Sequence, residues 1–199
     1  MKKRFFSFLL VLALVAALLP TAAFAEEAEV DINEANFPDS TFRTYVQDMF
    51  DLDDSGSLSQ AERDAVTVID VSGKGISNMS GIAYFANLLE LYCGSNQLTD
   101  LDVSRNTSLL FLACDNNQLT ALDISQNTAL IFLSCMGNQL SSIDVSQQPG
   151  LQELWANENQ LTSLDVTQNP FLTALACGKK TTDCPGRNPE SRSQNPVLL

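Results

Sequence analysis

Carboxylates, thiols and aromatic rings are the groups with which this chain could do chemistry; it has no histidine. It therefore lacks the commonest general base and the commonest zinc ligand. Acidic residues number 24 against 11 basic ones, for a net charge of −13. Such a surface repels nucleic acid and anionic lipid, and it suits divalent cations, basic partners or neutral glycans. Two groupings stand out by spacing. Residues 51–62 read Asp-Leu-Asp-Asp-Ser-Gly-Ser-Leu-Ser-Gln-Ala-Glu, with carboxylates first, third and twelfth, glycine sixth and an apolar residue eighth. Cys93, Cys114, Cys135 and Cys177 recur at multiples of 21 residues.

Helices are expected on both sides of the acidic segment. Phe42, Tyr45, Val46, Met49 and Phe50 fall on one helical face, with Asp39 or Ser40 as the cap after Pro38. Ser59 and Glu62 make a capping box for a second helix. In that context residues 51–62 resemble an EF-hand calcium loop. The resemblance implies side-chain oxygens from Asp51, Asp53 and Ser55, the carbonyl of Ser57, a water-bridged contact from Ser59 and both carboxylate oxygens of Glu62. Ser55 stands where Asp or Asn is usual, and three charged ligands imply weak calcium binding, about 10⁻⁴–10⁻³ M. The alternative is a degenerate loop that only turns the chain. EF-hands pair, and the sequence offers no second loop, so the first repeat is expected to be the partner surface. Calcium would then rigidify this cap, assigned to residues 35–66 behind a linker at 26–34.

The thiol spacing belongs to a tandem repeat. Four units align without a gap: LLELYCGSNQLTDLDVSRNTS from Leu88, LLFLACDNNQLTALDISQNTA from Leu109, LIFLSCMGNQLSSIDVSQQPG from Leu130 and LQELWANENQLTSLDVTQNPF from Leu151. A fifth starts at Leu172, and Val66, Ile69, Val71 and Ile76 fit an irregular first unit with a 22-residue spacing. In L-x-x-L-x-C the apolar residues alternate with variable ones, which predicts a short strand with one buried face. Gly, Ser and Asn then turn the chain. L-T-x-L-D-V predicts a second extended stretch on the opposite side. One unit cannot bury its own apolar face, so units must stack, with strands about 4.8 Å apart. The pattern over residues 66–178 resembles the leucine-rich repeat, and more narrowly the short repeats of secreted bacterial internalin-like proteins. The fold class implied is a repeat solenoid with parallel strands, behind a helix-loop-helix cap.

Stacking makes columns. Asn96, Asn117, Asn138 and Asn159 form one, and Asn106, Asn127 and Asn169 another; their amides can satisfy backbone groups left open by the turns. Cys93, Cys114, Cys135 and Cys177 share an inward position, taken by Ala156 in the fourth unit. The repeat favours buried free thiols there over a disulfide or a metal site. Asp102, Asp123, Asp144 and Asp165 line the convex side, where each is expected to accept hydrogen bonds from the turn that follows, a bound cation being the alternative.

Outward strand positions should line the concave face. One row reads Glu90, Phe111, Phe132, Glu153, Ala174, and the next Tyr92, Ala113, Ser134, Trp155, Ala176. A third reads Gly94, Asp115, Met136, Asn157, Gly178. Exposed rings mark a contact surface, or else cover strand edges. The resemblance implies protein recognition at Glu90, Tyr92, Phe111, Phe132, Glu153 and Trp155; stacking on a glycan is the second reading. Catalysis is not expected. Glu90 and Glu153 are three repeats apart, about 14 Å at sheet spacing, whereas a glycosidase pair needs about 5–9.5 Å.

The ends read differently. Lys2, Lys3 and Arg4 precede an apolar run from Phe5 to Leu19, and Ala23-Phe24-Ala25 matches a signal-peptidase site. Residues 1–25 are thus read as a secretory signal. The rest, with 8 basic residues against 24 acidic ones, is expected to be a soluble extracellular monomer. Residues 179–199 leave the repeat and turn rich in Lys, Arg, Pro and Ser. They read as a disordered tail, and as the product of a frameshift: back-translated from Lys180 and read one base later, permitted codons give K-Q-L-T-A-L-D-V-T-Q-N-P, which is the repeat in register.

Overall fold

A computed structural model describes residues 28–178. The readings of residues 1–25 as a signal and of 179–199 as a frameshifted tail fall outside the described residues. No helix among those described is long and apolar enough to cross a membrane.

Six three-residue strands stack in sequence order as one parallel sheet: β3 (Val68–Asp70), β4 (Glu90–Tyr92), β5 (Phe111–Ala113), β6 (Phe132–Ser134), β7 (Glu153–Trp155) and β8 (Ala174–Ala176). Each strand pairs residue for residue with the next, so Leu91, Leu112, Leu133 and Leu154 form one column, all fully buried. Leu88, Leu109, Leu130 and Leu151 on one side, and Leu98, Leu119 and Leu140 on the other, complete a core with no exposure. Burying one leucine is worth about 1.5–3 kcal/mol, and every unit contributes several.

The stretch Leu-Thr-x-Leu-Asp-Val buries its apolar positions, Leu98, Leu101 and Val103 in one unit, as the alternation predicts. It joins no second sheet among the described residues. Its coils are linked at its start by single backbone bonds, Gln118 N to Leu98 O and Gln139 N to Leu119 O, both 2.8 Å. The cause is local. Asp123 Oδ1 accepts the Ser125 N–H at 2.9 Å, and Asp102, Asp144 and Asp165 repeat this with Ser104, Ser146 and Thr167 at 2.8–2.9 Å. Each such bond turns the chain before a ladder can form.

The asparagine columns do the backbone work. Asn117 Nδ2 donates to Cys93 O and Cys114 O, each at 3.0 Å, and lies 3.2 Å from Asp115 O. Its Oδ1 accepts from Leu98 N at 3.0 Å. Asn96, Asn138 and Asn159 repeat the pattern. In the second column Asn106, Asn127 and Asn169 donate to carbonyls of the preceding coil, and Gln148 takes the position in the third unit.

The cap holds α1 (Ser40–Phe50), capped by Asp39, and α2 (Gln60–Ala65), with both bonds of the Ser59–Glu62 box present. Phe42 and Val46 of α1 are fully buried and Tyr45 and Phe50 partly, but Met49 is 54% exposed, against the expectation. It stands at the margin of the helical stripe, beyond the surface that the first coil can cover. What fills the junction is Phe37, packed on Phe42, Tyr84 and Phe85 at 5.7–6.5 Å between ring centres, with Phe50 on Phe85 at 5.3 Å. Gly81, at φ 101°, lies so close to the Phe37 ring that a Cβ there would overlap it.

Residues 26–34, read as a linker, contain β1 (Val30–Asp31), which pairs antiparallel with β2 (Ser57–Leu58). The strand partner of the acidic loop is therefore β1, not the first repeat.

Asp39 ties cap to coil. Oδ1 caps α1 through Thr41 and Phe42, and Oδ2 accepts from Ser77 N (2.9 Å) and Oγ (3.1 Å). Burial works to raise its pKa, and the bonds from Ser77, Phe42 and Thr41 outweigh it, leaving the value lowered. A depressed carboxylate stabilises the fold above its unfolded value, and that contribution is lost as pH falls through the folded one. The melting temperature should therefore hold from neutral pH to about 5 and fall below about pH 4, near the ordinary Asp value. Asp39→Ala should flatten part of that fall, as followed by circular dichroism.

Candidate binding face and cation loop

The register sets the concave face. Glu90, Phe111, Phe132 and Glu153 are consecutive Cα partners in one row, and Tyr92, Ala113, Ser134 and Trp155 in the adjacent one. All eight are half-buried, because strand neighbours cover their flanks and leave their tips in solvent. Phe111 and Phe132 stack with centroids 6.1 Å apart and planes at 30°. At each end a carboxylate is held by a ring in the next row: the Tyr92 hydroxyl donates to Glu90 Oε2 at 2.8 Å, and Trp155 Nε1 donates to Glu153 Oε2 at 3.3 Å. The bond to Glu90 raises the Tyr92 pKa. In the third row, Asp115 leans over Gly94, where a Cβ would come within 2.7 Å of its Oδ1. Ala176 is buried and offers no tip to this face. All six residues predicted for binding thus share one surface. The two ring-to-carboxylate bonds were not foreseen, although Glu-x-Tyr and Glu-x-Trp put each pair on one side of its strand.

Behind the face lie the thiols. Cys93, Cys114 and Cys135 are free and buried. Burial pushes Cys93 and Cys135 up to about 12 and Cys114 well above the ordinary thiol value. Cys177 differs from the predicted free thiol: it is disulfide-bonded.

The acidic loop gathers Asp51, Asp53 and Glu62, one carboxylate oxygen of each lying within 4.8 Å of the others. Asp51 is almost buried and accepts from Ser55 N and Gly56 N, both at 2.9 Å. Gly56, at φ 79°, makes the sharp turn at the sixth position. Ser55 Oγ sits between Asp51 Oδ1 (3.5 Å) and Ser57 O (3.0 Å). Glu62 accepts from Leu52 N at 2.7 Å and from Ser59 N and Oγ at 2.9 and 2.8 Å. Burial opposes these bonds, yet they hold Glu62 below the usual carboxylate range; the Ser55 hydroxyl does the same for Asp53. The Ser59 hydroxyl is engaged in the cap of α2. The Ser57 hydroxyl donates to Glu29 Oε2 at 2.8 Å, so β1 brings a further carboxylate that the sequence did not reveal. The donors converging here are all oxygens, the set a hard cation takes.

No family model matches the chain. It is 40% identical over 71 residues to Internalin J of Listeria monocytogenes serotype 4b (strain F2365), a stretch covering 36% of this chain and 8% of that protein. Among solved structures it resembles the functional domain of InlJ from Listeria monocytogenes, described as including a cysteine ladder. Identity is 34% and the TM-score 0.76, covering 85% of this chain and 37% of that one. A leucine-rich-repeat protein of Leptospira interrogans, LIC12759, superposes with TM-score 0.56 at 28% identity, covering 63% and 35%. Internalin InlF of Listeria monocytogenes shares the fold at 20% identity, with TM-score 0.58, covering 78% and 61%. The chain thus spans well under half of the InlJ domain. Its fold is a leucine-rich-repeat solenoid similar to those of the internalin structures, with parallel strands at a 21-residue spacing.

The protonated, enclosed thiols should be inert in the folded state, since the thiolate is the nucleophile. Treated with a thiol-specific disulfide reagent at pH 8, Cys93, Cys114 and Cys135 should react only after denaturant is added. Rapid labelling of the native protein at any of the three would contradict the buried ladder.

Proposed function

We propose that the chain is a secreted recognition module that binds a protein ligand on its concave aromatic face, with calcium stabilising the cap. The observation that carries the binding reading is the aligned row Glu90–Phe111–Phe132–Glu153, flanked by Tyr92 and Trp155. Rings on a rigid parallel sheet offer large contact area at low entropic cost, the character of interface hot spots. Similarity to internalins supports a protein ligand over other classes. The reading of export rests on residues 1–25.

Calcium is supported by three converging carboxylates, the glycine turn and the capped exit helix. Asp51, Asp53 and Glu62 would carry the charge, with Ser55 and the Ser57 carbonyl beside them. The ion would relieve the repulsion among carboxylates that the fold forces together.

Two outcomes test these readings. Peptides selected from a displayed random library against the purified chain should bind Phe132→Ala and Trp155→Ala about 10- to 30-fold more weakly, the loss typical of a hot-spot ring. Equal affinity for the double variant would remove the face from the account, and saturable binding on a glycan array in place of peptides would move the ligand to carbohydrate. For the loop, about 10 mM calcium against a Kd of 10⁻⁴–10⁻³ M adds about 1.4–2.7 kcal/mol. That should raise the melting temperature by several degrees, and Glu62→Gln should abolish the rise. No shift in the unmodified protein would exclude the calcium role.

A further inference from the structure

Deepening the proposed recognition of a protein ligand, and resting on it, we infer that the concave face reads an extended dibasic segment of the partner: basic residues at i and i+4, with an apolar residue at i+2.

The row Glu90–Phe111–Phe132–Glu153 has mirror-like order, with charge at both ends and apolar rings at its centre. Its carboxylates are fixed in place. Tyr92 and Trp155 each bind one oxygen of the neighbouring glutamate, and the other oxygen has no hydrogen bond among the described residues. Two acceptor sites are thereby held ready for donors from outside, at little cost in side-chain entropy.

Among the described residues, nothing on the face neutralises them. The basic residues among those described are Arg43, Arg63, Lys74 and Arg105, and none lies in the three rows. Asp115 adds to the same field. An acidic partner would be repelled, and a neutral one would leave the two carboxylates partly desolvated and unpaired.

The spacing selects the conformation. Three strand intervals separate Glu90 from Glu153, about 14 Å at sheet spacing. An extended chain advances about 13–14 Å over four residues, and its side chains at i, i+2 and i+4 share a face. A helix advances only about 6 Å over four residues. A partner crossing the strands in extended form therefore sets its end cations on the two glutamates. Its middle residue rests over the stacked Phe111 and Phe132 rings.

Trp155 is the chain's single tryptophan, so its fluorescence reports the face directly. The probe is the synthetic peptide acetyl-Gly-Arg-Thr-Leu-Thr-Arg-Gly-amide. Saturable quenching or enhancement is expected, with affinity at least about tenfold above that of peptides carrying Glu for both Arg, or Arg at i and i+2. Glu90→Gln should weaken binding several-fold although it lies three strands from the reporter, and raising the salt to 0.5 M should weaken it too, as screening requires. Glu90→Lys should restore affinity for the peptide with one Arg replaced by Glu. Thermal melts of each variant verify the fold. Equal binding of all peptides, or no saturable change, overturns the dibasic rule. Library-selected ligands that are lost on Phe132→Ala but kept by the double variant Glu90→Gln, Glu153→Gln would leave the binding face standing and sink this inference alone.

Discussion

One buried amide per coil holds the solenoid together. A parallel stack of three-residue strands leaves most of each 21-residue unit outside any ladder, and buried backbone groups must still be paired. Asn96, Asn117, Asn138 and Asn159 meet that requirement at the turn after each strand. Each donates to carbonyls of its own and the preceding coil, and each accepts an N–H from the preceding coil. Only a short side chain with a donor and an acceptor at one end can do both. The asparagine therefore fixes where each coil sits on the one before.

Register on the face follows from that. Because every coil returns at the same height, outward residues fall into straight rows, and a change of side chain in one unit becomes a change at one point on a surface. The inward strand position is governed by the same geometry: from the second coil on, close coils leave room for a small side chain, met by cysteine four times and by Ala156 once. The turn after each strand costs something. Ser95, Asn116 and Glu158 adopt φ of 51–56°, where Gly137 sits without strain.

The repeat was legible because it states one physical problem several times over. Strand register, the leucine core, the amide column and the thiol column all follow from period and alternation. The cap was half legible. Asp39, the Ser59–Glu62 box and the acidic loop are local patterns, but Phe37 and Phe85 meet across the junction, and neither shows a period. The pairing of β1 with the loop and the reach of Glu29 to Ser57 are long-range contacts of the same kind. Met49 satisfied helical spacing and is exposed all the same, because spacing says which face is apolar but not how far the partner surface extends. The Leu-Thr-x-Leu-Asp-Val stretch was legible both in its buried positions and in the bonds its Asp accepts from the turn that follows. The binding rows could be listed from the sequence, but the bonds that orient Glu90 and Glu153 required coordinates.

If the amide column sets the register, removing one amide should cost far more than removing an exposed polar group. Asn117 makes bonds to Leu98, Cys93 and Cys114; its loss breaks all three and leaves the buried Leu98 N–H unpaired, while the Cys93 and Cys114 carbonyls keep one amide donor each, from Asn96 and Asn138. At about 1 kcal/mol per bond and 1–3 kcal/mol for the orphaned group, the expected loss for Asn117→Ala is at least about 3 kcal/mol in equilibrium urea unfolding. A loss below about 1 kcal/mol, the size of an ordinary surface substitution, would contradict the account.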